Sequence, residues 1–254
     1  MELIDNIARK TGEPNVLALE AAKASQAFDI GRNFGLFYVP RVVNFNEEAV
    51  LLEFERLSDL VTLLELAIRK DKRLPDLLKK AGKALAVIHR DLALPEEMKH
   101  QLPPEWMDSE EDNVFIHGDF ACINICFREP SNELVILDFS AAPIVDRTPT
   151  FGSRYFDILL FISSIFHGAP LRRTINWNAK IMAEAFLRGY AEITPEVNAN
   201  KLKTLAPVIC RLQRKNTRHL ARQRRPLRAV CYTFYHTLLN TYLYRFLRKY
   251  EFPH

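Results

Sequence analysis

Residues 114–139 read Val-Phe-Ile-His-Gly-Asp-Phe-Ala-Cys-Ile-Asn-Ile-Cys-Phe-Arg-Glu-Pro-Ser-Asn-Glu-Leu-Val-Ile-Leu-Asp-Phe. Short apolar runs, Val114–Ile116, Ile125–Phe127 and Leu134–Leu137, have the length and composition of buried strands. The polar turn Glu129-Pro130-Ser131-Asn132 separates the last two. A hairpin of this length brings Asp119, Asn124 and Asp138 together at its open end. Two carboxylates and an amide oxygen form a hard-oxygen set that suits Mg²⁺ sharing its shell with substrate phosphates. The plainer reading of the same residues is a hairpin whose Asp and Asn side chains cap turns.

His117-Gly118-Asp119, with Asn124 five residues on and Asp138 fourteen beyond it, resembles the catalytic and metal-binding loops of kinase-fold phosphotransferases. Glycine at the second position resembles the aminoglycoside phosphotransferase and choline kinase branch, since protein kinases carry Arg there. The resemblance implies that Asp119 is the catalytic base, that Asn124 and Asp138 hold Mg²⁺, and that ATP is the donor. It also implies that a glutamate on an early helix, here Glu20, pairs with a strand lysine gripping the nucleotide phosphates. Lys10 is the lysine available upstream, although it precedes a loop instead of closing an apolar strand. Gly12 is the single glycine in that region, whereas the family places a hairpin over the phosphates there. His117 and Asp157 support the catalytic loop in this scheme. Asp157 lies in so apolar a segment that its carboxylate must be satisfied if buried. Arg154 either contacts the substrate or, in the plainer reading favoured here, sits on the surface.

The implied fold is α+β, two-lobed and protein-kinase-like, with a reduced N-terminal lobe over 1–57 and a mostly helical lobe over 58–254. The chain of 254 residues is long enough for that core. No apolar run spans a bilayer, and the first residues lack the basic start and apolar core of a signal peptide. Cys122, Cys126, Cys210 and Cys231 form no paired metal-type cluster and suit a reducing cytoplasm.

Along the chain, residues 1–15 are weakly patterned. Leu17, Ala21, Ala24 and Phe28 predict a helix from Val16 to about Arg32. Phe37–Val43 and Ala49–Phe54 predict two strands around a turn at Asn44–Glu47; the resemblance then implies that Glu53–Leu57 is the hinge receiving the adenine. Ser58 is placed as the cap of a helix through Ala67, and Pro75 opens another that ends at Ile88-His89-Arg90-Asp91-Leu92. His89-Arg90-Asp91-Leu92 copies the protein-kinase catalytic loop, but Glu96 stands where Asn is needed and the segment ends a helix. His89 is therefore read as structural.

Beyond Asn178–Tyr190, predicted helical, the charge changes sharply. Residues 201–254 hold thirteen Lys or Arg against the single acid Glu251, about +12, while the whole chain is +4. Residues 1–200 therefore carry about −8. Arg211, Arg214, Lys215, Arg218, Arg222 and Arg225 recur at three- and four-residue intervals as one basic helical face. It either binds an anion, including the inner face of a membrane, or lies solvated against the acidic remainder. Phe234, Tyr235, Leu238, Leu239, Tyr242, Leu243, Phe246 and Leu247 form a broad apolar stripe, read as core.

The function this reading supports is ATP- and Mg²⁺-dependent phosphorylation of a hydroxyl on a small molecule, sugar or glycolipid-type acceptor. A catalytically idle kinase fold that binds a partner protein or an anionic polymer is the alternative. Charge alone gives nucleic acid only nonspecific, salt-sensitive binding.

Overall fold

A computed structural model describes residues 2–4, 6–107, 112–141, 148–170 and 177–252. The chain opens with a tight hairpin of β1 (Glu2–Ile4) and β2 (Ile7–Thr11), where the sequence shows little pattern. Lys10 is thus a strand residue, paired with Leu52 one position before the end of β2, where the sequence offers no apolar strand. The reason is long-range: β2 gains its partner from β4 (Leu51–Glu55), more than forty residues away, which local propensity cannot register.

Helix α1 (Pro14–Phe34) starts on Pro14, preset for a first helical turn, and ends at Gly35 in the left-handed region (φ 63°). Its Leu17 and Ala21 pack with Leu52 under the sheet. Strand β3 (Val42–Asn46) completes an antiparallel sheet in the order β1-β2-β4-β3. The strand expected over Phe37–Val43 is thereby corrected to a later start. Pro40 has no N–H for a ladder, and before it only Tyr38 pairs, bonding the Leu134 carbonyl and the Ile136 amide at 2.8 and 2.9 Å. The turn moves with it, from Asn44–Glu47 to residues 47–50. Glu53 belongs to β4, held to Arg9 at 2.7 Å, so a connector between the sheet and the helices begins only after Glu55.

A second correction follows. Leu60 is not helical but part of β5 (Leu60–Thr62), paired with β7 (Ile125–Arg128). The helix start is Thr62, not Ser58: its hydroxyl accepts from the Glu65 amide and Glu65 returns the bond, a capping box that opens α2 (Leu63–Arg69). The stretch 114–139 also divides differently from a single hairpin. β7 and β8 (Glu133–Ile136) do form one around Glu129–Asn132. β6 (Asn113–Phe115) pairs instead with β9 (Phe151–Ser153).

The helical part is built on α3 (Leu74–Asp91) and α5 (Ala179–Ile193), whose backbones touch through two glycines. A Cβ on Gly82 would lie 2.1 Å from the Phe186 carbonyl oxygen, and one on Gly189 would lie 1.9 Å from that of Lys79. Such contact brings His89, at the end of α3, against Tyr190 of α5 (2.9 Å). α4 (Tyr155–His167) packs against α5 and the last two helices and is buried on nearly every face, as its continuous apolar run requires. α6 (Ala199–Arg222) and α7 (Pro226–Lys249) form an outer antiparallel pair. Only part of the expected core stripe on α7 is core: Leu239, Leu243, Phe246 and Leu247 are buried, whereas Phe234, Leu238 and Tyr242 face solvent. No helix among the described residues is long and apolar enough to cross a membrane.

Candidate active site

Asp119 leaves the β6 segment through Gly118, whose φ of +96° and tight approach to the Ser140 carbonyl (3.0 Å to an added Cβ) exclude a side chain. Asn124 follows on a short turn, its own amide bonded to the Ala121 carbonyl, and begins the β7–β8 hairpin. The Asn124 side chain turns back: Nδ2 donates to the backbone oxygen and to Oδ2 of Asp119, both at 2.9 Å. That leaves the Asn124 Oδ1 as its acceptor. The Asn124 carbonyl accepts from Leu137 N–H at 2.9 Å, which fixes the strand end carrying Asp138 beside it.

Asp138 itself is left-handed (φ 57°) and turns its carboxylate toward the four-stranded sheet. Lys10 Nζ donates to Asp138 Oδ1 at 2.9 Å and contacts both Glu20 oxygens at 2.7–2.8 Å; Ser140 Oγ donates to the same Asp138 oxygen at 2.6 Å. The structure therefore brings Lys10 of β2, Glu20 of α1 and Asp138 into one ion cluster. Burial opposes the charge on Lys10, but Glu20 and Asp138 outweigh it and hold its pKa above the ordinary lysine value. Burial likewise pushes Asp138 up, and Lys10 with Ser140 more than reverses that, leaving it lowered. Among the described residues, no cation is bonded to Asp119. Burial first, then the Asp138 charge, push its carboxyl up to about 6, with the Asn124 bond opposing.

Behind the loop, Asp157 is wholly buried and accepts three hydrogen bonds. These come from the His117 amide (2.7 Å), the Gly118 amide (2.9 Å) and His89 Nε2 (3.0 Å). Burial alone would raise its pKa, yet the His89 bond and the surrounding dipoles keep it lowered. Burial holds His89 neutral against that same carboxylate, so Nε2–H donates to Asp157 and Nδ1 accepts from Tyr190 O–H. His117 is packed against Phe139 and Phe120, ring centroids 4.3 and 5.3 Å away, and its Nδ1 accepts from the Asp119 amide at 3.2 Å. Arg154 pairs with Asp112 at 3.3 Å and is mostly buried, where its sequence context suggests surface.

The sequence reading missed Lys23. This lysine is only 2% exposed, and its ammonium donates to the His117 carbonyl, joining α1 to the loop that carries Asp119. Burial draws its pKa down to about 8 against the pull of Asp157, Glu20, Asp138 and Asp119. A signal for it was present: Leu19, Lys23, Ala27 and Ile30 recur at helical spacing, so the lysine sits in an apolar stripe.

The donor chemistry fits a hard divalent cation. Asn124 Oδ1 and the Asp138 carboxylate are oxygen donors on two loops bonded to each other, and Mg²⁺ takes few protein ligands beside phosphates and water. No group of three or more His, Cys, Asp or Glu side chains arranged for a metal occurs among the described residues, so a many-ligand protein cage is not what these residues offer.

The buried neutral histidines make stability pH-dependent. His117 and His167 are pulled down by burial to about 4, from about 6.5 in an unfolded chain. Between these values the unfolded state binds more protons. Their contribution is thus complete above about 6.5 and lost as pH falls toward 4, on the order of 3 kcal/mol each at most. Melting temperature should fall steeply from pH 7 to pH 5; a flat profile over that range would show that these rings are not buried neutral.

No protein-family model matches the sequence, and no curated protein matches it. Solved structures do match. A choline/ethanolamine kinase family protein from Mesorhizobium loti superposes with a TM-score of 0.57 at 14% identity, over 96% of this chain and 87% of its own. The amicoumacin kinase hAmiN, solved with AMP-PNP and Ca²⁺, gives 0.60 at 13% identity, over 97% and 83%. A glucosamine kinase gives 0.59 at 13% identity, over 94% and 73%. The chain has the protein-kinase-like fold of these small-molecule kinases, as the motif at 117–138 implies.

Proposed function

We propose that the protein transfers the terminal phosphoryl group of ATP to a hydroxyl of a small molecule, sugar or glycolipid-type acceptor. The observation that carries this reading is one continuous cluster. Lys10, Glu20 and Asp138 are joined by ion pairs, and Asn124, whose carbonyl holds the Leu137 amide next to Asp138, bonds the carboxylate of Asp119. A divalent cation, if held by Asn124 and Asp138, would supply positive charge to offset that of the nucleotide phosphates. Lys10, steered by Glu20, is placed to hold phosphate oxygens. Asp119, oriented by Asn124, accepts the proton of the attacking hydroxyl as its oxygen bonds to phosphorus and the bond to ADP breaks. Asn124 and Asp138 would hold the metal. The kinases that share this fold support the reaction class; the acceptor follows from none of them.

Asp138→Ala tests the reading. Calorimetric titration with Mg-ATP should show affinity reduced by at least ten-fold, since losing a charge-assisted contact of this kind costs about 1.5–3 kcal/mol. Asn124→Ala should weaken it less, because a neutral ligand is lost. Equal binding by Asp138→Ala and wild type would remove Asp138 from the metal site. The idle-fold alternative draws on one feature, the absence of any glycine before Gly12 to form a loop over phosphates. The same titration on the wild-type chain decides it: an idle fold binds no Mg-ATP.

A further inference from the structure

Neither α6 nor α7 contributes a residue to the cluster around Asp119, yet both expose side chains that a free surface disfavours. From Val197 to Tyr250 the sequence contains no Asp or Glu. On α6, Arg211, Arg214, Lys215, Arg218 and Arg222 line an open cavity of about 480 Å³, while Ile209, Gln213, Thr217 and Ala221 form the buried side. Without acids among them, these cations repel one another. On α7, Leu227 is 78% exposed and Phe234 67%, and Leu238 and Tyr242 are also exposed. Spacings of seven, four and four residues put these four on one stripe, distinct from the buried Leu239, Leu243 and Leu247. Such a row differs from the scattered single apolar residues normal on a surface. Arg225 and Arg228 flank its start, and Arg245 and Arg248 its end.

The occupant must satisfy both features. A nucleic acid would neutralise the cations but offer nothing to leucine and phenylalanine side chains. A second copy could cover the apolar stripe but would bring two acid-free basic surfaces together. A bilayer surface rich in anionic lipid supplies phosphates for the one and the headgroup–acyl boundary for the other. We propose that the α6–α7 pair docks the protein on an anionic lipid surface. Leu227, Phe234, Leu238 and Tyr242 enter the acyl boundary, and the arginines of α6 meet lipid phosphates. The pair lies on the membrane, since neither helix can cross it. The proposal does not depend on catalysis, and its test needs no turnover.

The experiment is co-sedimentation of the full chain with phosphatidylcholine vesicles, with and without phosphatidylglycerol. Wild type should bind only the anionic vesicles. Arg211→Gln/Arg218→Gln/Arg222→Gln should lose on the order of 100-fold in affinity, three surface cations each contributing roughly five-fold. Phe234→Ser/Leu238→Ser should lose on the order of 10-fold and release in salt that wild type withstands. Melting temperatures of both variants should match wild type, because all five side chains replaced are exposed. Absence of wild-type binding, or both variants binding like wild type, would overturn the proposal. So would light scattering that shows a dimer which Phe234→Ser/Leu238→Ser dissociates, since the stripe would then be a contact between copies.

Discussion

Asp119→Asn is expected to lower the rate of phosphoryl transfer by on the order of 10²–10⁴-fold, the usual contribution of a positioned base. The melting temperature and Mg-ATP affinity should remain close to wild type. The separation follows from geometry. The Asp119 carboxylate accepts one side-chain bond, from Asn124 Nδ2 at 2.9 Å, and an asparagine oxygen accepts it equally well. The Asp119 backbone, which also receives Asn124, is untouched. Charge is what changes. Burial first, then the charge of Asp138, push the Asp119 carboxyl up to about 6. Neutral asparagine relieves that repulsion, so nothing in the substitution weakens the cluster that would receive phosphates. Single-turnover rates and Mg-ATP titrations on the same preparation separate the two effects. Near-wild-type turnover by Asp119→Asn would remove Asp119 from the base role; loss of both turnover and nucleotide binding would make it a structural residue.

Much of this site was legible because its residues lie in one stretch with local signals. His117-Gly118-Asp119, Asn124 and Asp138 are carried by short apolar runs around a polar turn, and the hairpin between Arg128 and Glu133 forms where those signals place it. Asp157 stood out because a carboxylate within Tyr155–His167 has to be paired. Most of the helices were legible from periodicity and from start signals such as Pro75. What escaped detection depends on contacts distant in sequence. Lys10 becomes a strand residue through β4, and β6 finds β9 instead of its neighbour. Lys23 looks like one more charge on a helix until His117 is folded over it. The outer stripe of α7 shows the converse limit: periodicity reports an apolar face but not whether the fold covers it.

The second large effect concerns the support of the catalytic loop. Asp157→Ala is expected to destabilise the fold by about 3–5 kcal/mol, the cost of breaking a buried charged network. The carboxylate satisfies the His117 and Gly118 amides and His89 Nε2, none of which has water at hand. Alanine leaves all three donors without their acceptor in a dry interior, each worth about 1–3 kcal/mol. His89 is itself held by Tyr190, so the loss reaches the α3–α5 contact that Gly82 and Gly189 make possible. Asp157→Asn is the gentler variant, since its oxygen still accepts one or two of these bonds while its amide confronts the remaining donor. It should fold with an intermediate loss of stability. Amide exchange at His117 and Gly118 should accelerate relative to α3, because the loop loses its anchor while the helix pair keeps its packing. Should Asp157→Ala be insoluble, urea unfolding of Asp157→Asn carries the test alone. A midpoint equal to wild type, with unchanged exchange at Gly118, would mean that the loop is held by its other contacts, chiefly Lys23 on the His117 carbonyl and Phe139 on the His117 ring.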